Sequence, residues 1–216
     1  MMRAWVIALG LGLAALSGVS ASGQETTTAT TTTAPEAPRH IPAGTYRLDP
    51  RHASVLFRIQ HEGLAWFTAR FDTKDATLEL NPTDMSQTHL TASVDATSVD
   101  TGLTSNSGER TFDRSIGNTL GARTAPQITF TSTSVESTGP TTARVTGDLA
   151  MNGQTHPATL DVTFEGGHGD LLRGGAFVLG FSAQGTIDRR QWGVNEWSSF
   201  AGHDVQLVIS AELVHT

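Results

Sequence analysis

The chain has 216 residues with 21 acidic and 14 basic side chains, a formal charge of −7 and no cysteine. The acidic excess disfavours nucleic acid and anionic membrane surfaces as partners. The lack of cysteine excludes disulfides, a lipidated cysteine and thiolate metal sites. The length suits one domain that packing alone stabilises.

The first residues have the pattern of an export signal. Arg3 supplies a positive charge, residues 4–16 form an apolar run, and Val19-Ser20-Ala21 is a small-x-small cleavage sequence. We predict a signal peptide at 1–21, with a retained anchor helix as the alternative, although the run is short for a membrane span. The processed protein is then expected in the periplasm or secreted, without stable membrane insertion.

Residues 22–42 consist largely of Thr, Ala, Pro and Glu and contain almost nothing large and apolar. Such a segment cannot offset its ordering entropy by burial, so we predict a disordered tether. The predicted folded domain covers residues 43–216.

The domain alternates between apolar and polar residues with the period of two that is typical of half-buried strands. Val55, Phe57, Ile59 and His61 share one face of the first run. Further runs predict about eight strands in all: 67–71, 78–80, 92–96, 145–151, 160–164, 181–187 and 205–213.

Turn sequences separate these runs, and Asn152-Gly153 is typical of a two-residue hairpin. The glycine-rich stretch 166–175 is interpreted as a flexible hairpin end. Alternation fails only over 100–125, where a short helix or irregular crossover near 103–125 is predicted. The pattern favours an all-β sandwich or a closed barrel without deciding between them.

Several motifs together resemble the YceI-like family. Residues 44–63, with Leu48-Asp49-Pro50-Arg51-His52 leading into the first strand, are similar to the family's opening Leu-Asp-Pro-x-His element. The other matching elements follow in order: Ser98-Val99-Asp100-Thr101-Gly102, Ala125 to Phe130, Val145 to Leu149, Gly153 to Pro157 and Asp188 to Gly193.

The resemblance implies an exported, lipocalin-like antiparallel barrel of eight strands whose interior holds a polyisoprenoid or another long-chain lipid, with no established catalysis. One segment departs from the family pattern. Where the family has Arg-Asp-x-His-Leu-Arg, this chain has Arg110-Thr111-Phe112-Asp113-Arg114-Ser115, and only Arg110 is kept. If this segment forms the mouth, the preferred head group will differ.

The inward faces of the strands supply a candidate lipid site, because a barrel of eight strands has room for one slim ligand. His61 could contact a polar head or be a structural histidine at the barrel end. The aromatic residues could line a pocket or simply fill the core. The predicted ligand-binding residues are Phe57, Ile59, His61, Phe67, Phe71, Val94, Phe130, Leu149, Phe164, Phe181, Ile187, Arg189 and Trp192.

Arg189 and Arg110 are the candidate cations for a head group, and the alternative is that each braces the barrel through a carboxylate such as Asp49 or Asp188. Trp66 and Trp197 could rim an entrance or plug a closed end. Small inward residues could keep the interior open: Ala69, Ala92, Gly147, Ala183 and Gly185.

No metal-binding His pair, Gly-x-Ser-x-Gly elbow or phosphate loop is present in the sequence. We therefore predict no metal site, no cofactor other than a bound lipid, and no enzyme. The favoured hypothesis is a monomer or homodimer that sequesters or carries a polyisoprenoid, quinone-like or fatty chain. The alternative is a side-chain-filled barrel that acts as a stress-related interaction module.

Overall fold

The computed structural model describes residues 40–216, so the predicted signal peptide and nearly all of the predicted tether lie outside the described residues. The described chain is mostly strand with one α-helix, α1 (Thr111–Thr119). The strands are β1 (Gly44–His61), β2 (Ala65–Phe71), β3 (Lys74–Leu80), β4 (His89–Asp95), β5 (Val99–Asp100), β6 (Gln127–Ser137), β7 (Thr142–Met151), β8 (Gln154–Asp170), β9 (Ala176–Asp188) and β10 (Ala201–His215).

These ten segments form one closed antiparallel barrel with eight positions in its wall. β2 and β3 follow each other along one side of the long strand β1, and β4 continues into β5 in the same way. Each later strand pairs with the one before it, and β10 returns to pair with β1. The predicted eight-stranded barrel is therefore confirmed, and the sandwich alternative is excluded.

The topology places the connections at two ends. The end here called the mouth carries the β1–β2 hairpin, α1, the β7–β8 turn and residues 189–200. The opposite end, called the floor, carries the start of β1, residues 81–88, 138–141 and 171–175 and the C-terminus. No helix among residues 40–216 is long and apolar enough to cross a membrane.

Two of the predicted connections can be compared directly with the structure. Asn152 and Gly153 have φ values of 51° and 73° and join the paired residues Met151 and Gln154, so the two-residue hairpin is confirmed. The stretch 166–175 is only partly a turn. β8 continues through a bulge beside Phe164 as far as Asp170, and the tip is residues 171–175.

The floor is closed by a small hydrophobic cluster, here called the floor cluster, of Tyr46, Leu78, Leu179 and Leu213. Tyr46 and Leu179 are fully buried. The hydroxyl of Tyr46 donates to the carbonyl oxygen of Pro42 at 2.7 Å, which satisfies the polar end of this buried ring.

Two of the small inward residues have a different role from the one expected. A Cβ atom on Gly147 would lie 2.4 Å from the carbonyl oxygen of Thr131 and 2.6 Å from Cζ of Phe130. A Cβ atom on Gly185 would lie 2.6 Å from the carbonyl oxygen of Thr159. These glycines are therefore covered by neighbouring strands and side chains and do not hold space open.

Replacing Gly147 with Ala should destabilise the barrel by about 1–3 kcal/mol, because the methyl group meets a backbone carbonyl that cannot move freely. Gly180→Ala is the matched control, since its Cβ would make ordinary contacts of 3.6 and 3.8 Å. Urea unfolding of both variants measures the difference. Equal midpoints for the two variants would contradict the close packing at Gly147.

Candidate functional site

An apolar cavity of about 570 Å³ runs through the barrel interior between the mouth and the floor cluster. Eleven of the thirteen predicted ligand-binding residues line it. They are Phe57, Ile59, His61, Phe67, Phe71, Val94, Phe130, Leu149, Phe181, Ile187 and Arg189. The alternation of the strands therefore brings these side chains to a single space inside the barrel.

The other two predicted residues, Phe164 and Trp192, lie outside the lining. Phe164 sits at the β8 bulge and packs beside the floor cluster, with its ring 5.5 Å from that of Phe181. Trp192 lies in the 3₁₀ turn after β9, where strand alternation no longer applies. It is buried, and its Nε1 donates to the carbonyl oxygen of Leu149 at 2.9 Å, so it braces the wall from behind.

Arg189 is only 4% exposed, and its guanidinium binds backbone carbonyls. Nη1 donates to Val194 and Glu196, at 2.6 and 2.8 Å. Nε and Nη2 donate to Gly202 and Ala201, at 2.8 and 3.3 Å. Arg189 therefore ties the mouth segment 194–202 to the end of β9. This role differs from both that the sequence suggested, which were to bind a head group or to brace the barrel through a carboxylate.

Asp188, one of the carboxylates expected to brace Arg189, is paired with Arg190 instead. Arg190 Nη2 lies 2.6 Å from Asp188 Oδ2, and this hydrogen bond lowers the pKa of Asp188 to about 2. Both side chains are at least partly exposed, so this pair contributes little to stability.

Replacing Arg189 with Met should cost about 2–4 kcal/mol of stability, because buried carbonyl oxygens lose charged donors. The rate of amide hydrogen exchange over residues 194–202 should also rise in this variant. Arg190→Met is the control and should leave stability nearly unchanged, because the Arg190–Asp188 pair is exposed to solvent. Unchanged exchange in Arg189→Met would show that the mouth segment does not depend on these bonds.

Comparison with known proteins places the barrel in a family. A model of the YceI-like domain matches residues 46–213. The chain belongs to the YceI-like family. Protein YceI of Escherichia coli O157:H7 is 36% identical over 172 residues, which cover 79% of this chain and 86% of the relative. Protein YceI of Salmonella arizonae is 35% identical with the same coverage.

Solved structures share the fold. BcnA of Burkholderia cenocepacia superposes with a TM-score of 0.65 at 20% identity, over 76% of this chain and 98% of BcnA. A domain of Saccharophagus degradans described as polyisoprenoid-binding has a TM-score of 0.52 at 13% identity, over 81% of this chain and all of that domain.

The segment that departs from the YceI-like pattern forms α1, which covers part of the mouth. Phe112, Ile116 and Leu120 line the cavity from this helix and the residue that ends it. The Phe112 ring lies 5.8 Å from Phe67 and 6.1 Å from Trp197, so aromatic residues of three segments meet at the mouth. The prediction of a helix within 103–125 is confirmed.

Arg110 anchors the start of α1. Its guanidinium pairs with Asp113, lies 2.6 Å from Asp100 Oδ1 and donates to the carbonyl oxygen of Val99 at 3.2 Å. Asp113 also accepts a hydrogen bond from the Thr101 backbone at 3.1 Å. Arg110 thus braces the barrel through carboxylates, as the alternative held, although neither carboxylate is Asp49 or Asp188.

The buried carboxylate of Asp113 makes this anchor dependent on pH. Burial alone raises the pKa of Asp113, but hydrogen bonds from Thr101 and Arg110 outweigh burial, and the net pKa lies below its usual value. A carboxyl group whose pKa is lowered by folding stabilises the folded state at pH values above its unfolded-state pKa of ~3.9. That stabilisation is lost as the pH falls through the folded pKa.

We expect Asp113→Asn to destabilise the protein by about 1–2 kcal/mol at pH 7, because Arg110 then faces a neutral partner. The gap from the natural protein should begin to narrow below pH ~4 and close as the pH falls through the lowered pKa of folded Asp113, where Asp113 itself becomes neutral. Urea unfolding between pH 2.5 and pH 7 measures this. The control, Asp161→Asn, removes only an exposed pair with Arg144 and should differ by less than about 0.5 kcal/mol.

Sequence reasoning missed a cation in the lining, Lys74. β1 pairs with β3 through Arg47 and with β2 from Leu56 onward, so residues 48–55 have no ladder partner on that side. This interruption, bounded by residues 48–55 and 72–76, is here called the side gap. Lys74 lines the cavity at the side gap. The sequence pattern could have identified Lys74 as a lining residue, because it precedes Ala76 and Leu78 on the inward face of β3.

The family motif Leu48-Asp49-Pro50-Arg51-His52 forms a bulge of β1 opposite β10. Asp49 pairs with Arg173, His52 Nδ1 lies 2.8 Å from Asp49 Oδ2, and Glu212 is 3.4 Å from Arg173. A hydrogen bond from His52 lowers the pKa of Asp49, against burial. Ligand atoms of Asp49, His52 and Glu212 lie close enough together to hold a metal ion. The guanidinium of Arg173 already supplies the positive charge at this position.

Proposed function

We propose that this protein binds a long apolar lipid inside its barrel and sequesters or carries it through an aqueous compartment, without catalysis. The observation that carries the proposal is the cavity of about 570 Å³ inside the barrel, whose walls are mostly apolar. A cavity of this size and lining is typical of a small-molecule site. The predicted signal peptide supports a location in the periplasm or outside the cell.

The cavity can retain such a ligand by the hydrophobic effect alone. If one methylene occupies roughly the 30 Å³ share of a water molecule, the cavity holds about 20 carbons. Burial of each methylene contributes about 0.8 kcal/mol, or roughly 16 kcal/mol in total, before the entropic cost of binding. Few polar contacts are needed, which agrees with the lining.

The ligand class is proposed from the family. The fold neighbour of Saccharophagus degradans is described as polyisoprenoid-binding. A polyisoprenoid, quinone-like or fatty chain is long, slim and apolar, as this cavity requires. The alternative of an interaction module with a filled barrel is less well supported, because it calls for an interior without room for a chain.

A hydrolytic function has little support from the geometry. His61 is the one histidine among the described residues that line the cavity, and its Nδ1 lies 4.0 Å from the nearest carboxylate oxygen, on Glu62. This distance is beyond hydrogen-bond reach, and more than half of the His61 side chain is exposed. We therefore propose binding as the function.

The test is to purify the mature domain, extract it with organic solvent and compare the extract with a mock purification by mass spectrometry. A stoichiometric long-chain lipid is the expected result. A clean protein that also fails to take up added polyprenyl or fatty lipids would refute lipid binding and favour the interaction module.

A substitution that fills the cavity should separate binding from folding. Ala92 lines the cavity beside Ala76 and Phe130, so Ala92→Phe should reduce lipid uptake at least tenfold while the barrel still folds. Thr91→Phe adds the same ring to the exposed face of β4 and should bind lipid normally. Equal uptake by the two variants would place the lipid somewhere other than this cavity.

A further inference from the structure

We propose that Lys74 holds the carboxylate head group of a single-chain fatty lipid at the side gap, with the hydrocarbon tail in the cavity. This inference rests on the proposed lipid-binding function and specifies its ligand. It assigns a chemical class to the head group, which the apolar lining leaves open.

The position of Lys74 is unusual. It is the only lysine in the sequence, whereas thirteen arginines supply the other basic side chains. It lies half-buried on the inward face of β3, in line with the apolar residues Ala76 and Leu78. A cation beside an apolar cavity loses hydration, and this loss is costly unless an anion compensates for it.

The structure leaves the compensation incomplete. Nζ of Lys74 donates to the backbone oxygen of Asp72 at 3.2 Å. An ammonium group has three donors. Within residues 40–216, no carboxylate oxygen lies within salt-bridge distance of Nζ, whereas Arg189, the one arginine among the described lining residues, donates to four backbone carbonyls.

The side gap gives the head group a place in the wall. No backbone ladder joins residues 48–55 to residues 72–76, so a polar group can reach Lys74 without breaking strand pairing. Leu48, Ala53, Val55 and Ala76 line the cavity around this gap. A chain attached to a head group at Lys74 therefore enters an apolar space directly.

Charge and volume together restrict the ligand. Asp72 is paired with Arg70 at 2.9 Å, but Asp75 lies next to Lys74 in the cavity lining, and its negative charge disfavours a dianionic phosphate or diphosphate more than a carboxylate. The cavity holds about 20 carbons, which matches the size of one fatty chain. A long-chain fatty acid meets both limits.

The experiment compares hexadecanoic acid with hexadecanol, which share the tail and differ in the head group. At pH 7.5, the natural protein should bind the acid at least tenfold more tightly than the alcohol. Lys74→Gln should weaken binding of the acid at least fivefold and leave binding of the alcohol within twofold. Lys74→Arg should keep the preference, and the control Arg144→Gln, an exposed arginine outside the cavity, should change neither affinity.

A second measurement does not depend on a substitution. Reductive methylation with ¹³C-formaldehyde labels Lys74 as the only lysine, and its resonance is distinct from that of the terminal amine. The lysine signal should shift with hexadecanoic acid and stay in place with hexadecanol. Equal binding of acid and alcohol with no lysine shift would overturn the Lys74 site and leave lipid binding intact. Failure of the protein to bind any long-chain lipid would refute the proposed function itself.

Discussion

The pairing of β10 with β1 is the constraint on which the rest of the structure depends. It joins the two ends of the folded chain along most of their length, from Tyr46 and His215 to His61 and Ala201. Closure satisfies the backbone groups of both strands and removes the exposed sheet edges that would otherwise invite association. It also encloses an interior in which the side chains of eight strands face one another and not solvent.

Closure alone does not leave room for a ligand, because an eight-stranded barrel can be filled by its own side chains. In this protein, the two ends of the barrel determine whether the interior holds a cavity. The floor cluster closes one end with buried residues, while Arg189 and Arg110 position the mouth segment and α1 at the other. The space between them is a mostly apolar cavity, and a ligand that fills it gains contacts with its walls. Such a ligand would stabilise the fold by mass action.

The sequence predicts most of this wall because alternation is a property of the backbone that neighbouring strands share. Phe57, Phe130 and Phe181 face inward for that reason alone. Alternation fails where the strand geometry changes. Trp192 lies in a 3₁₀ turn after its strand, so strand parity does not apply to it. Phe164 keeps the inward parity opposite Phe181, but it lies where β8 reaches the floor cluster and packs there, outside the lining. The role of Arg189 was equally out of reach, because its partners are backbone oxygens, and the partners of Arg110 were not those that the sequence suggested.

Lys74 was overlooked for a different reason. A charged residue is normally taken as evidence that its face of the strand does not point into the interior. A barrel with an incomplete ladder can nevertheless tolerate one such residue. The side gap arises because the Leu48 to His52 motif bulges away from the wall and is held by Arg173. The residues that identify the family therefore also create the opening beside Lys74. In this barrel, the continuous strands determine stability and shape, whereas the proposed head-group site lies at a discontinuity of the wall, the side gap.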